Sequence, residues 1–351
     1  MDGPSKRTRA KTLRTQREHG ATLVLVAILL VPLFGFVALV LDFGALALER
    51  RELQNGADAA ALAIGADCAH GSCGDYSSTG VELASANASD RAAGIQAVCG
   101  VAPSVPVCST PASVPVGATG WIRVTTKTSN PSNPTDPGLV LYRFAGILGI
   151  TDRGRQVQAT AVSAWGPVGV AMVAPLTVSV CEFALVVGSP ATFPTAVATM
   201  NFHTTATTKC PQGPSGADAP GGFGWLDVGA SPCSLTVSAE SWVSADPGNS
   251  APHSCDLATW QNADITIPIY NAVTGQGNNT TYHVVGFGRF HVTGYKFPGK
   301  RWTIEGTTLS CPGESGNNGT CLRGWFTRFE NDARSIYKGS SFGVSGVMLV
   351  G

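Results

Sequence analysis

Residues 21–41 read ATLVLVAILLVPLFGFVALVL, and residues 42–66 continue as DFGALALERRELQNGADAAALAIGA. The first part is 21 residues without a charge. At helical rise it covers about 30 Å, the thickness of a bilayer's hydrocarbon core. Pro32 and Gly35 interrupt it, and membrane helices tolerate both. The second part keeps a helical pattern. Leu46, Leu53, Ala57, Ala60 and Ile64 fall at spacings of 7, 4, 3 and 4, which puts them on one narrow stripe. The stripe turns to small residues after Gly56, so another backbone can approach closely. Span and extension therefore predict one helix of about 45 residues, projecting about 35 Å beyond the membrane. The pattern leaves two uses for the stripe open: packing on the chain's own globular part, or contact with another protein.

Outward from this stretch, the N-terminal tail carries Lys6, Arg7, Arg9, Lys11, Arg14 and Arg17 against Asp2 and Glu18. That excess predicts a cytoplasmic tail and an exported C-terminal region. The Glu49-Arg50-Arg51-Glu52 cluster on the far side is balanced and competes poorly. The run is longer than the core of a cleaved secretory signal, and Ala45-Leu46-Ala47 lies inside the helical pattern. An uncleaved, single-pass signal anchor in the cell membrane is the expectation.

The chain's formal net charge is zero. The tail is +4, so the remainder is −4, and no basic surface outside the tail suggests nucleic-acid binding. Only 13% of residues are charged, with 42 Gly and 22 Pro, which points to a loop-rich, β-rich extracytoplasmic protein. All ten cysteines lie beyond the apolar run. An even number confined to the exported side predicts a disulfide framework. Close spacing pairs Cys68 with Cys73, Cys99 with Cys108, and Cys311 with Cys321. Cys181, Cys210, Cys233 and Cys255 allow three connectivities.

The organisation that follows is a basic tail (1–20), the helix module (21–66), a mixed α/β exported region (67–165) and a β-rich exported domain (166–351). Val81 to Val98 is alanine-rich and reads as a second helix. Trp121 to Lys127 alternates like a strand, and TSNPSNPTDPG at 128–138 reads as a loop. Arg155 to Trp165 alternates again. APLTVSVCEFALVV, residues 174–187, reads as a buried strand. Later strands are expected at Asp264 to Tyr270, Thr281 to Phe287, Arg289 to Tyr295, Trp302 to Glu305 and Leu322 to Phe329. Short strands with Gly/Pro punctuation predict an antiparallel, sandwich-like region. The fold class is α+β.

Chemistry is sparse. The chain has no HExxH and no acidic calcium loop, and no GxSxG or phosphate-binding glycine loop in strand–helix context. Asp227-Val-Gly-Ala-Ser231 lacks the middle serine of an adhesion-type metal site. Cys68, His70 and Cys73 are close enough to ligate a metal, but an oxidising compartment favours the disulfide. His203, His253, His283 and His291 are scattered. No catalytic residue, metal site or cofactor is expected.

The module at 20–66 resembles the N-terminal part of TadE/TadG-like proteins of Flp (Tad) pilus systems. The resemblance is carried by Gly20 at the membrane entry, the apolar run, Asp42 and Gly44 at its exit, Arg50, Leu53-Gln54, Ala57-Asp58 and Ala60-Ala61-Leu62-Ala63. LYRFAGILGITDRGRQVQATAVSAW is similar to the exported region of such proteins. FGWLD and YHVVGFGRFHVTGY look similar to actinobacterial members. One position departs from processed pilins, which carry a glutamate five residues after the cleavage glycine; here it is Leu25.

The resemblance implies a non-enzymatic, membrane-anchored structural component of a Flp/Tad-type pilus or secretion apparatus. Its partners would be the lipid bilayer and, through the N-terminal helix, other membrane proteins of the apparatus. The alternatives are a cell-surface binding module or adhesin on a signal anchor, and an anchored extracytoplasmic enzyme.

Overall fold

The computed structural model describes residues 18–130, 132–144, 146, 149, 151–188, 192–202, 224–229, 233–248, 250–252, 255–311, 319–332 and 338–351. The basic tail up to Arg17, His203, Cys210, Ser231, His253 and parts of the LGI turn at 148–150 lie outside the described residues.

The apolar run and its extension form a single helix, α1 (Glu18–Ala69), of 52 residues. At 1.5 Å per residue it is about 78 Å long, with Pro32 inside it. Between Thr22 and Leu41, Ala38 is the one buried residue. This is the one helix among the described residues long and apolar enough to cross a membrane.

After α1 come α2 (Tyr76–Ala86), β1 (Ala93–Val101), β2 (Gly120–Asn130), β3 (Asn133–Pro137), β4 (Val140–Leu141), β5 (Gly154–Arg155) and β6 (Gln158–Pro167). Next are β7 (Val170–Val173), β8 (Val178–Ser179), α3 (Val180–Val187), β9 (Ala198–Asn201), β10 (Leu235–Ser238) and β11 (Ser241–Ser244). The chain closes with β12 (Asp264–Thr274), β13 (Thr281–Phe297), β14 (Lys300–Thr303), β15 (Cys321–Thr327), β16 (Phe329–Asp332) and β17 (Val344–Leu349). The class is α+β, as the sequence predicts.

Two sheets carry the fold. The first runs β1-β2-β6-β17-β16, with β3 pairing onto β2. The second runs β8-β12-β13-β15-β9, with β11 and β14 also pairing onto β13. Pairing is antiparallel except at β16–β17 and β8–β12. Strand β17 returns to pair with β6 (Val347 opposite Trp165) and carries β16 on its other side, at the edge of the first sheet.

Each sheet has its own core. In the first, the outer half of α1 lies on β2, β6 and α2. Ala57, Ala60, Ala61 and Ile64 meet Ile122, Val124, Ala161 and Val347, and Leu53 meets Ala84, Ala93 and Ala159. Burial of a side chain such as Leu53 or Ile64 stabilises by about 2–3 kcal/mol. In the second, Phe183 of α3 makes edge contacts to Phe326 and Phe342, and Trp225 packs beside Trp260 and Phe297.

Cys68–Cys73, Cys99–Cys108 and Cys311–Cys321 are bonded as their spacing predicts. Of the four left open, Cys233 pairs with Cys255, and Cys181 is also disulfide-bonded.

Several local expectations are corrected. The helix expected over Val81 to Val98 stops at Ala86, where Asn87 caps it, and the rest is strand β1. β1 pairs with β2 along its whole length, which outweighs the helix propensity of its alanines. The loop at 128–138 contains the end of β2 and all of β3. The strand expected across 174–187 is mostly helix. Ser179 caps α3 by accepting from the Glu182 N–H at 3.1 Å, and the Glu182 carboxylate accepts from the Ser179 N–H at 3.3 Å. The two strands expected at 281–287 and 289–295 are one 17-residue strand, β13.

Candidate functional site

The site that the sequence singles out is α1 beyond the membrane, and the structure separates it into an inner and an outer face. On the inner face Leu53, Gly56, Ala57, Ala60, Ala61, Ile64 and Gly65 are buried. Of the two uses left open for the stripe, this is packing within the chain. The small residues matter for backbone approach. A Cβ on Gly56 would sit 2.9 Å from the Ala84 Cα of α2, and one on Gly65 would sit 2.4 Å from the Ser163 Oγ of β6.

Side chains of the first sheet also bond to the helix backbone. Thr126 Oγ1 donates to the Leu53 carbonyl at 2.9 Å, and Ser163 Oγ to the Ala61 carbonyl at 2.6 Å. These use the second lone pair of a carbonyl already bonded in the helix. Gln54 donates to the Asp58 carboxylate at 2.8 Å and to the Thr160 carbonyl at 3.3 Å, so the Leu53-Gln54…Asp58 motif fixes the helix on β6. Glu52 accepts from the Ser89 N–H at 3.0 Å and ties the helix to the turn before β1.

At the membrane exit, Asp42 is 8% exposed. Its carboxylate accepts the backbone N–H of Arg143 at 2.9 Å and that of Phe144 at 3.1 Å. One to two turns further on, a cleft of about 420 Å³ opens between α1 and the first sheet, lined by Ala45, Glu49, Asp90, Thr128, Asn130, Leu141 and Arg143 among others. Burial pushes the Glu49 carboxyl above the usual carboxylate range. The neighbouring Asp90 and Glu52 charges push it the same way, and a hydrogen bond with Thr128 opposes them.

The outer face carries Gly44, Leu48, Arg51, Asn55 and Leu62, all exposed, at spacings of 4, 3, 4 and 7. A Cβ on Gly44 would meet nothing within 4 Å, and Arg50 is exposed as well. These two motif residues take no part in the packing of the domain. Leu48 and Leu62, 56% and 37% exposed, extend the apolar surface of the span outward. Sequence reading missed this second stripe because the inner one is denser in apolar residues. Gly20 lies in the first turn of α1, at the other end of the span.

The remaining candidate chemistry is structural where it is described. Cys68 and Cys73 are joined to each other, which removes them as metal ligands. Among the described residues no group of three or more His, Cys, Asp or Glu is placed to hold a metal ion. His291 bonds to Asp264 at 2.7 Å, but its ring is stacked on Trp325 at 4.4 Å, and the described hydrogen bonds bring no serine or cysteine to it. His283 bonds to Asn271 at 2.8 Å and packs beside Trp242.

Residues 20–67 match the family model described as "Putative Flp pilus-assembly TadE/G-like". No curated protein and no solved structure matches the chain. The matched segment begins at the membrane entry and ends two residues before the end of α1, so the likeness belongs to the helix and its packing faces.

Proposed function

We propose that this chain is a non-enzymatic structural component of a Flp/Tad-type pilus or secretion apparatus, anchored by α1 in the cell membrane with its N-terminus cytoplasmic. The observation that carries this reading is the position of the family match. Residues 20–67 cover the whole route from membrane entry to ectodomain core, and they end where the disulfide-bonded region begins. The four described disulfides all lie on the C-terminal side of the apolar run, which favours an oxidising compartment there.

In this role α1 does two jobs with two faces. The inner face holds the first sheet on the helix through Leu53, Ala57, Ala60 and Ile64. The outer face, from the exposed surface of residues 23–37 through Gly44 and Leu48 to Leu62, points away from the domain and meets membrane proteins of the apparatus. Small and apolar residues at helical spacing suit close helix–helix contact in a bilayer and at its edge.

The test is co-purification of apparatus components with the full chain from native membranes. Leu48→Glu combined with Leu62→Glu is expected to abolish capture while leaving the melting temperature unchanged. Undiminished capture by that variant would overturn the outer face as the contact. Absence of any apparatus component with the wild-type chain would overturn the assignment to the apparatus.

A further inference from the structure

We propose that the β4–β5 ribbon is a second membrane contact, resting on the bilayer surface beside the span; this rests on α1 being a transmembrane anchor. The ribbon's level is set by Asp42, which directly follows the last residue of the apolar run. Its carboxylate holds the N–H groups of Arg143 and Phe144, so the second and third residues after β4 are fixed where the hydrocarbon core ends. One turn towards the bilayer on the same helix face, Ala38 is 5% exposed, with Leu39 half-buried beside it, while residues 22–34 of the span are exposed.

The ribbon itself has the composition of an interfacial element. Leu139 and Leu141 are 53% and 61% exposed. Arg143, Arg153 and Arg155 are exposed; the ribbon's own acid is Asp152, and Arg143 also lines the cleft with Glu49 and Asp90. Exposed leucines reach the acyl boundary while guanidinium groups on long stems bond phosphate oxygens above it. β4 and β5 pair only with each other among the described strands, two residues from each. A ribbon that short gains little from its own hydrogen bonds and needs a surface to lie on. The charge of its three arginines selects a phosphate-bearing lipid surface over an apolar protein face.

The test uses the full chain in liposomes of phosphatidylethanolamine and phosphatidylglycerol, with the photocrosslinker p-benzoylphenylalanine placed at one position at a time. Leu29, in the middle of the span and 64% exposed, reports the anchor. Met172, 71% exposed on the ectodomain, reports background. The expected result is a lipid adduct at Leu141 in yield comparable to Leu29 and at least tenfold above Met172. A lipid adduct at Leu29 with none at Leu141, or a crosslinked dimer at Leu141, overturns the ribbon contact and leaves the anchor standing. Absence of lipid adducts at both Leu29 and Leu141 overturns the anchor, and the ribbon contact with it.

Discussion

Ser163 of β6 and Gly65 of α1 share one small space. The Ser163 hydroxyl bonds the Ala61 carbonyl at 2.6 Å, and that same hydroxyl lies 2.4 Å from where a Cβ on Gly65 would be. Ser163 is fully buried, so it has no free direction in which to move. Gly65→Ala would gain up to about 1 kcal/mol of helix propensity but overpack the contact at about 1–3 kcal/mol. The expected net effect is destabilisation. In a Ser163→Ala background the clash eases, and Gly65→Ala should become neutral or stabilising. Denaturant titration of the four chains measures the coupling, which is expected at about 1–2 kcal/mol.

The two faces of α1 predict opposite responses to similar truncations. Leu53 is completely buried between α2, β1 and β6, so Leu53→Ala should cost about 2–5 kcal/mol of ectodomain stability. Leu48 is exposed, so Leu48→Ala should stay within about 0.5 kcal/mol. Thermal unfolding in detergent separates them. Loss of partner capture in Leu53→Ala would then follow from unfolding, whereas loss in Leu48→Ala would mark a contact.

What sequence made legible was whatever a short window determines. The apolar run, the small-residue stripe at Leu53, Ala57 and Ala60, and the closely spaced cysteine pairs all appear in α1 and the disulfides as expected. Long-range packing was not legible. Gly288 reads as a break between two strands, with Gly286 inside the first of them. In the fold they are the places where β13 is approached by Phe342 and Phe326, whose rings would lie 2.7 and 2.8 Å from an added Cβ. The helix α3 was legible in principle. Its Ser179-x-x-Glu182 capping box was outvoted by the mostly apolar, valine-rich character of residues 174–187. The bond from Asp42 to residues 143 and 144 spans about a hundred positions, and no periodicity announces it.

Glu49 makes ectodomain stability depend on pH. Its carboxyl binds a proton more readily in the folded chain than at the ordinary value of 4.5. Between that value and its raised folded value the folded state holds more protons than the unfolded state, so this group's contribution falls as pH rises. Above the folded value the penalty of keeping the charge half-buried beside Asp90 and Glu52 is fully present. Glu49→Gln should therefore raise the melting temperature at neutral pH and flatten its pH dependence between mildly acidic and neutral conditions. Melting curves of both chains across that range check it. A wild-type contribution that rises with pH would contradict the burial argument.

The Cys233–Cys255 bridge closes a 22-residue separation next to the second core, where Cys255 is buried with Leu257 and Trp260. A loop of that size constrains the unfolded chain by about 3 kcal/mol. Cys233→Ala with Cys255→Ala should lower stability by about that amount and act on the second sheet. Hydrogen exchange is the readout. Amides of β12 and β13 should lose protection, while those of β2 and β6 in the first sheet keep theirs.

Asp42 is the residue that couples span to ectodomain, and its removal should loosen one local contact without unfolding either core. Its carboxylate receives two backbone N–H groups and is nearly buried, an arrangement in which hydrogen bonds to a charged group contribute about 1.5–3 kcal/mol. Asp42→Ala leaves the Arg143 and Phe144 amides without that acceptor, and their exchange should accelerate by about thirtyfold, the equivalent of about 2 kcal/mol of local opening. Asp42→Asn keeps one acceptor oxygen but places an amide donor beside the second N–H, so it should fall between wild type and alanine. The amide of Val124 in β2, held by β-sheet pairing on both sides, should not change. Equal acceleration at Val124 would mean that Asp42 stabilises the whole first sheet instead of the membrane-exit contact alone.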